Sequence, residues 1–396
     1  MSGPLVRLLL ERIHRHGPLP FDAFLDAALY HPEHGFYAQG AGAGRRADFL
    51  TSPEVGPLFG LVIARALDTW WTDAGRPDPF VVVDAGAGRG TLARAVLDAA
   101  PACTPALRYV CVERSAVLRL AQEDLLPLEP AANALGPVAE GDDDDDDVWP
   151  LAGSGPIVTS LDELPATTVD GVVFANELLD NLPFRLLERT PAGWSEVRVG
   201  ATAPGEDAAL VEVLVEVPDA LASEADRLAP DAAPGSRIPL QQAAIAWLRQ
   251  AIGTVRRGRV VVVDYASTTP ALSGRPCPEW ARTYRAHDRG GSLLEAVGEQ
   301  DVTCDVAVDQ LARVRPPDSD TAQAEFLRAH GIAGVVDDAR TGWRERAHIG
   351  DLAALRARSR VGEAEALLDP SGLGAFRVLE WVIPPARPAP RRTTGR

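Results

Sequence analysis

The middle of the chain is built from short apolar runs, several of which end on an acid. Asp84, Glu113 and Asp264 each close such a run. Continuous apolar runs predict strands that are buried on both faces. Their alternation with helical segments predicts a parallel sheet with right-handed crossovers, and therefore an α/β fold. The predicted strands of this sheet are 80–84, 109–113, 156–159, 171–175, 259–265 and 377–383.

Residues 1 to about 79 show helical spacing instead. Phe21, Leu25 and Leu29 fall on one face of a helix, and Pro53 is placed at the first turn of another helix that reaches Trp70. We therefore predict a helical N-terminal extension at 1–79. The main domain is predicted at 80–383.

The segment from about 184 to 259 differs from its surroundings. Trp194–Val199 and Leu210–Val217 alternate in polarity as antiparallel strands do, and a helix is predicted around 240–252. This indicates an α+β insertion into the main domain. The Pro/Arg-rich tail, 384–396, is predicted to be disordered.

A glycine-rich loop follows the first predicted strand. Gly86, Gly88 and Gly90 alternate with Ala87 and Arg89 before a helical segment begins. Glycines let a ligand approach the backbone, and the following helix directs unpaired N–H groups toward it. The sequence therefore predicts a site for a nucleotide-like cofactor.

Two cofactors fit this loop. The dinucleotide fingerprint is G-x-G-x-x-G, whereas here the third glycine, Gly90, arrives one residue early. The observed spacing, with Asp84 two residues before Gly86, is typical of S-adenosylmethionine methyltransferases. Asp84 is then placed to meet the methionine ammonium. Glu113 is placed to accept both ribose hydroxyls, which suits either cofactor.

Composition narrows the class of partner and compartment. Across 396 residues, 39 Lys and Arg face 56 Asp and Glu, so the net charge of −17 disfavours nucleic acid. The six aspartates at 142–147 indicate a solvated loop. Four cysteines without C-x-x-C spacing indicate reduced thiols, and neither a membrane span nor a signal h-region is found. These features predict a cytoplasmic protein without membrane attachment.

Several segments together resemble the MidA-type S-adenosylmethionine-dependent methyltransferases, whose mitochondrial member is an arginine methyltransferase acting in respiratory complex I assembly. The resemblance rests on Ala28–Tyr37, Asp48–Glu54 with Leu58-Phe59-Gly60, the glycine loop and Ala175–Pro183, which occur in the family's order. It implies a Rossmann-like class I methyltransferase sheet with S-adenosyl-L-methionine as cofactor. The substrate it implies is a protein, methylated at arginine by in-line transfer.

The resemblance also directs attention to two groups of polar residues. Glu177 and Asp180 follow a buried strand and are the candidate carboxylates for a guanidinium, with Asn176 as an orienting amide. A structural alternative is that Asp180 caps a helix and Glu177 is solvated. In the N-terminal extension, Thr51, Ser52 and Glu54 are candidates to line the same cleft, although Thr51 or Ser52 ahead of Pro53 also fits a helix cap.

Some features depart from the family pattern. Ala266 stands where the family usually has glycine, and 267–293 fits poorly. These departures keep a non-catalytic assembly or scaffold protein with the same fold as an alternative. The glycine-rich loop keeps a second alternative, an NAD-dependent oxidoreductase. His31 and His34 are three residues apart but have no further ligand nearby in sequence, so no metal site is expected.

Overall fold

The computed structural model describes residues 3–39, 51–136, 152–202, 208–285 and 288–385. The aspartates at 142–147, residues 48–50 of the second family segment and the tail beyond residue 385 lie outside this range.

Seventeen strands are found in the described residues. They are β1 (Leu19–Pro20), β2 (Phe80–Ala85), β3 (Leu107–Val112), β4 (Ile157–Leu161), β5 (Val169–Asn176), β6 (Arg185–Thr190), β7 (Gly193–Ala201), β8 (Leu210–Glu216), β9 (Arg237–Leu240), β10 (Val255–Asp264), β11 (Ala266–Ser267), β12 (Ala281–Arg285), β13 (Asp288–Arg289), β14 (Asp301–Cys304), β15 (Val306–Ala307), β16 (Ser319–Ala322) and β17 (Arg377–Ile383).

Fifteen α-helices connect them within the same ranges. They are α1 (Pro4–His16), α2 (Phe21–Tyr30), α3 (Ser52–Val55), α4 (Pro57–Asp73), α5 (Thr91–Ala99), α6 (Ala116–Gln122), α7 (Ala131–Leu135), α8 (Asp219–Leu228), α9 (Gln242–Thr254), α10 (Thr269–Ser273), α11 (Cys277–Trp280), α12 (Val308–Leu311), α13 (Gln323–Ala329), α14 (Ile332–Arg346) and α15 (Leu352–Leu368).

A seven-stranded sheet forms the centre of the molecule. Its strand order is β16-β17-β10-β5-β2-β3-β4, and the five strands from β10 to β4 are parallel. Strand β17 runs antiparallel to both of its neighbours. The order reverses at β2, because the chain moves outward to β3 and β4 and then returns to β5 on the other side. A reversal of this kind opens a ligand crevice at the carboxyl ends of the strands.

Apolar side chains cover both faces of this sheet, as the continuous apolar runs predict. On one face, Val82 and Val172 pack in a core that includes Phe59 of α4 and Leu327 of α13. On the other face, Val83 and its neighbours pack against residues of α9. The close approach of central strands requires Gly171, because a Cβ there would lie 1.8 Å from the carbonyl oxygen of Val81. The α/β fold with a mostly parallel sheet is confirmed.

A second sheet contains β1, β7, β6 and β9 in that order, with β8 paired to β7. The N-terminal helices pack on it: Leu9 of α1 and Phe24 of α2 share a core with Val197 of β7. Helix α9 then returns the chain to the central sheet through β10, whose first residues, 255–259, fall in the segment predicted as an insertion. The division into extension, main domain and insertion remains a prediction.

The sequence pattern does not predict the short strands β12, β13 and β14. They form a three-stranded sheet in which β12 and β13 belong to the segment 267–293, which fits the family pattern poorly, and β14 follows that segment. Strand β14 packs against the turn Leu179–Asn181, which places Asp301 beside the strand-end segment at 176–182. Among the described helices, none combines the length and apolar composition required to cross a bilayer.

Candidate active site

A cavity of about 340 Å³ lies at the carboxyl ends of β2, β3, β4 and β5. We call it the strand-end cavity. Its wall includes Asp84–Gly88, Glu113, Asn176–Leu178 and, from α3 and the residue before it, Thr51 and Glu54. The structure therefore brings the predicted cofactor loop and part of the predicted catalytic segment to one cavity.

The glycine loop is tightly turned and tied to the neighbouring strand. Gly86, Gly88 and Gly90 have φ values of +75°, +54° and +84°, which favour glycine. The N–H groups of Gly86 and Ala87 donate to the carbonyl oxygen of Val112 at 2.9 and 3.0 Å. A Cβ on Gly88 would have no atom within 4 Å, so this glycine leaves open space for a ligand.

The Glu113 carboxylate braces this loop. One oxygen accepts a hydrogen bond from the Gly88 N–H at 2.9 Å, and the other accepts one from the Ser115 N–H at 2.8 Å. Burial raises the pKa of Glu113, against the opposing effect of these donors. Each carboxylate oxygen has a second lone pair, so Glu113 retains the capacity to accept ribose hydroxyls.

Asp84 is the next-to-last residue of β2 and forms part of the cavity wall. Its carboxylate accepts a hydrogen bond from the Tyr109 hydroxyl at 2.9 Å, and the residue is only 2 % exposed. Burial raises the pKa of Asp84 to about 7, although the Tyr109 hydrogen bond acts in the opposite direction. A ligand ammonium at this position would favour the ionised carboxylate.

Glu177, which also lines the cavity, has an uncommon backbone conformation. Its φ is +52°, outside the usual range for a residue with a side chain. Carboxylate oxygen Oε1 accepts hydrogen bonds from the Ser52 N–H at 3.1 Å and from Asn176 Nδ2 at 3.0 Å. Burial raises the pKa of Glu177 to about 7. Two fixed donors therefore orient a carboxylate that lines the strand-end cavity.

Asn176 contributes a second acceptor. It is 9 % exposed, and within the described part of the chain its side-chain oxygen Oδ1 has no hydrogen-bond partner. Buried polar atoms are rarely left unpaired, because desolvation without a replacement hydrogen bond is costly. Since Asn176 lines the cavity, its side-chain oxygen is an unpaired acceptor next to the site.

Asp180 is not itself part of the cavity wall, although residues on either side of it are. It is 3 % exposed, and its backbone N–H donates to Asp264 at 3.3 Å. Burial and the nearby carboxylate of Asp264 raise the pKa of Asp180 well above its usual range. Asp180 does not cap a helix. The Asp264 carboxylate instead accepts hydrogen bonds from the backbone N–H groups of Leu179 and Asp180.

The three candidates near α3 occupy different positions. Thr51 and Glu54 line the cavity, and Glu54 accepts a hydrogen bond from the Thr91 hydroxyl at 2.7 Å. Ser52 is fully buried behind the wall, where its hydroxyl donates to Gln323 at 3.1 Å. Thr51 occupies the cap position of α3 without a side-chain capping hydrogen bond. Ser52 therefore contacts the site through its backbone.

Sequence reasoning missed an aromatic part of the wall. Tyr30 and Tyr37 stack at 5.4 Å between ring centroids and both line the cavity. Tyr30 donates to the carbonyl oxygen of Asn181 at 3.3 Å, and Tyr37 donates to Asp301 at 3.1 Å. Both tyrosines lie in the first family segment, which was the available signal. Trp247, on α9, lines the cavity without any signal in the local sequence.

The histidine pair is a stacked turn. His31 and His34 lie 5.2 Å apart with nearly parallel rings, and His31 Nδ1 accepts the N–H groups of Glu33 and His34. Within the described ranges, no group of three or more His, Cys, Asp or Glu side chains is arranged to hold a metal ion.

A family model for S-adenosyl-L-methionine-dependent methyltransferases matches residues 62–323. Curated relatives named protein arginine methyltransferase NDUFAF7, mitochondrial, come from Rattus norvegicus (27 % identical over 78 % of this chain and 69 % of that protein) and Bos taurus (28 % over 83 % and 74 %). The homologue from Drosophila melanogaster is 40 % identical over 95 residues, which span 24 % of this chain and 22 % of that protein.

Solved structures agree on the fold. A Burkholderia thailandensis protein bound to S-adenosyl-homocysteine has a TM-score of 0.76 and 24 % identity, with 96 % of this chain and 94 % of that chain covered. A native structure of a protein from the same organism has a TM-score of 0.75 and 26 % identity over the same shares.

The expectation of a cytoplasmic location is wrong, because the curated relatives from rat and cattle are named as mitochondrial. The inference failed for a physical reason. Unpaired cysteines indicate a reducing environment, and more than one compartment provides such an environment.

Three features fit the amino-acid and ribose ends of S-adenosylmethionine. They are the glycine loop, the two acids Asp84 and Glu113, and the open space above Gly88. The nicotinamide alternative is set aside, because the family model covers most of the chain. The chain belongs to the MidA-type family of S-adenosyl-L-methionine-dependent methyltransferases, and S-adenosyl-L-methionine is its cofactor.

Proposed function

We propose that this enzyme methylates a nitrogen of an arginine side chain in a protein substrate. The observation that carries the proposal is the pair of hydrogen-bond acceptors on the cavity wall, the Glu177 carboxylate and the Asn176 amide oxygen. The curated relatives, which are named protein arginine methyltransferases, support it.

The two acceptors match a nitrogen substrate. A guanidinium group carries five N–H donors and no acceptor, and carboxylates bind it in a bidentate manner. Glu177 Oε1 already accepts from Ser52 and Asn176, so Oε2 is left to receive a substrate N–H. The Asn176 oxygen offers the second acceptor. A hydroxyl substrate would satisfy only one of these acceptors.

The aromatic wall suits a planar cation. Tyr30 and Tyr37 line the same cavity, and ring faces attract guanidinium groups. The guanidinium of Arg114 already lies 4.4 Å from the centroid of the Tyr30 ring, which shows that this wall accommodates such a group. The Asp301 carboxylate, which accepts the Tyr37 hydroxyl, adds negative potential behind the rings. A neutral acceptor would gain little from either feature.

Glu177 also accounts for the proton of the reaction. When bound, S-adenosylmethionine supplies a methyl group activated by its sulfonium, and the electron pair of the broken C–S bond stays on sulfur. As the N–C bond forms, the attacking nitrogen loses a proton. Glu177 accepts this proton, because its pKa of about 7 keeps it basic enough at neutral pH. The fixed donors at Oε1 hold the carboxylate toward the nucleophile.

The test uses methyl-labelled S-adenosylmethionine and a protein extract from cells that lack this protein. Wild-type enzyme should label arginine side chains, detected by mass spectrometry. Glu177→Gln keeps the shape of the side chain and should lower labelling by about 10²-fold or more, the usual contribution of a positioned base. Calorimetric binding of S-adenosylhomocysteine should stay within about threefold of wild type.

Three results would contradict the proposal. Labelling confined to lysine or other residues would overturn the arginine assignment. Equal labelling by wild type and Glu177→Gln would remove Glu177 from the chemistry. Full cellular function of a Glu177→Gln strain would favour the non-catalytic assembly role over methyl transfer.

A further inference from the structure

A fully buried glutamine lies directly behind the glycine loop. Gln122, the last residue of α6, is 0 % exposed and does not line the strand-end cavity. Its Nε2 donates to the carbonyl oxygen of Gly88 at 2.8 Å, and its Oε1 accepts from the Ser160 hydroxyl of β4 at 2.6 Å. One side chain thus connects the cofactor loop to a neighbouring strand.

Both backbone groups of Gly88 are held by side chains. The N–H is held by Glu113 and the carbonyl by Gln122, so the two peptide planes that flank this residue are fixed. Packing cannot fix these peptide planes, because Gly88 lacks a Cβ and the space where a Cβ would lie is open. A glycine in open space is the residue with the greatest backbone freedom, and freedom of this kind costs binding free energy.

The hydrogen bonds form a closed circuit. Glu113 accepts from the Ser115 N–H with its other oxygen, and the Ser115 hydroxyl caps α6 by accepting from Leu118 at 3.4 Å. Helix α6 then carries Gln122 back to Gly88. The same circuit that orients Glu113 therefore also sets the conformation of the loop.

We infer that Gln122 is a positioning residue for the cofactor, which holds the Gly88 peptide in its binding conformation without touching the ligand. Preorganisation of this kind raises affinity by reducing the ordering that binding requires. The inference concerns the cofactor and does not rest on the proposed arginine substrate. Its failure would leave that proposal intact.

Gln122→Leu removes both hydrogen bonds at similar volume. Calorimetry with S-adenosylhomocysteine should give a dissociation constant raised roughly tenfold. This is the loss of affinity expected when one hydrogen bond that orders the loop is removed. Hydrogen exchange in the unliganded protein should be faster in the peptide that contains Gly88. A dissociation constant within twofold of wild type, measured where the variant is folded, would overturn the inference.

Ser160→Ala is the matched control. It removes the other partner of Gln122 and leaves the hydrogen bond to Gly88 in place. We expect its dissociation constant to stay within about twofold of wild type. A loss equal to that of Gln122→Leu would overturn the inference, since it would assign the effect to packing between α6 and β4.

Gln122→Glu supplies a second test if the leucine variant fails to fold. A protonated glutamate donates to Gly88 and accepts from Ser160 as glutamine does, whereas an ionised one repels the Gly88 carbonyl. The ratio of variant to wild-type dissociation constants should therefore rise across the pH range in which the introduced glutamate ionises, a range measured by NMR titration of the variant. Using this ratio removes the titration of Glu113 and Asp84 that both proteins share. A ratio that stays constant across that range would count against the inference.

Discussion

Glu177→Gln is expected to change how the stability of the protein depends on pH. The fold partly buries Glu177, and this desolvation raises the pKa of its carboxyl from 4.5 to about 7. Between these values the folded state binds a proton that the unfolded chain releases. The free energy of unfolding of the wild type therefore falls as the pH rises through this window. The glutamine variant has no such proton to lose.

The size of the effect follows from the shift. A difference of about 2.5 pKa units corresponds to about 3.4 kcal/mol at about 1.36 kcal/mol per unit, which is an upper bound because Glu177 reaches the cavity. We expect about 2 to 3 kcal/mol. The amide oxygen of glutamine can still accept from the Ser52 and Asn176 donors, so little packing is lost.

The assay is urea unfolding of both proteins at pH 5 and pH 8 without cofactor. At pH 5 the two free energies of unfolding should be similar, and at pH 8 the variant should be more stable by about 2 to 3 kcal/mol. Asp84 titrates in both proteins, so its contribution cancels in the difference. Glu163→Gln is the control, because Glu163 is exposed at the edge of the same cavity. Its difference from wild type should stay within about 0.5 kcal/mol at both pH values.

The same change in unfolding free energy with pH for wild type and Glu177→Gln would refute the reasoning. It would mean that the carboxylate is hydrated through the cavity and carries no burial penalty. A Glu163→Gln response as large as that of Glu177→Gln would also refute it, since the effect would then follow from net charge alone.

Three further predictions concern the rest of the site. Binding of S-adenosylhomocysteine, measured by calorimetry, should tighten several-fold from pH 6 to pH 8, because Asp84 ionises with a pKa of about 7. Asp84→Asn should bind more weakly, and its affinity should change little with pH. Gly88→Ala should abolish cofactor binding and lower the free energy of unfolding by about 1 to 2 kcal/mol, because the backbone at Gly88 has a positive φ. Gly60→Ala is the comparison: its Cβ would lie 2.4 Å from a neighbouring side chain, so the free energy of unfolding should fall by about 1 to 3 kcal/mol. The folded Gly60→Ala variant should keep its affinity for the cofactor. Asp180→Asn should keep methyl-transfer activity within a few-fold of wild type in the labelling assay, because Asp180 does not line the strand-end cavity, whereas Glu177→Gln should not.

The cofactor half of the site was accessible from local sequence. Gly86, Gly88 and Glu113 follow directly on apolar runs, and the carboxyl ends of parallel strands meet at one edge of a sheet. Once the runs were recognised as strands, the loop and the acid had to lie close together. The pairing of β2 with β3 places them within hydrogen-bonding distance.

The acceptor side of the site was less accessible. Glu177 and Asp180 lie three residues apart and look equivalent in the sequence, yet only Glu177 lines the cavity. The positive φ of Glu177 turns the chain at that point, and Asp264 binds the next turn from another strand. Neither contact leaves a trace in the segment itself.

The sequence by itself determined the parallel sheet, the cofactor loop and the family, because these depend on periodicity and on short motifs within single segments. Only the tertiary structure decided which acid lines the strand-end cavity and which side chains brace it. Tyr37 meets Asp301 from 264 residues away, and Gln122 reaches Gly88 from 34 residues away. Contacts between distant segments form only when the whole fold packs. The pattern of polar and apolar residues along the chain therefore does not tell which polar residues will pair.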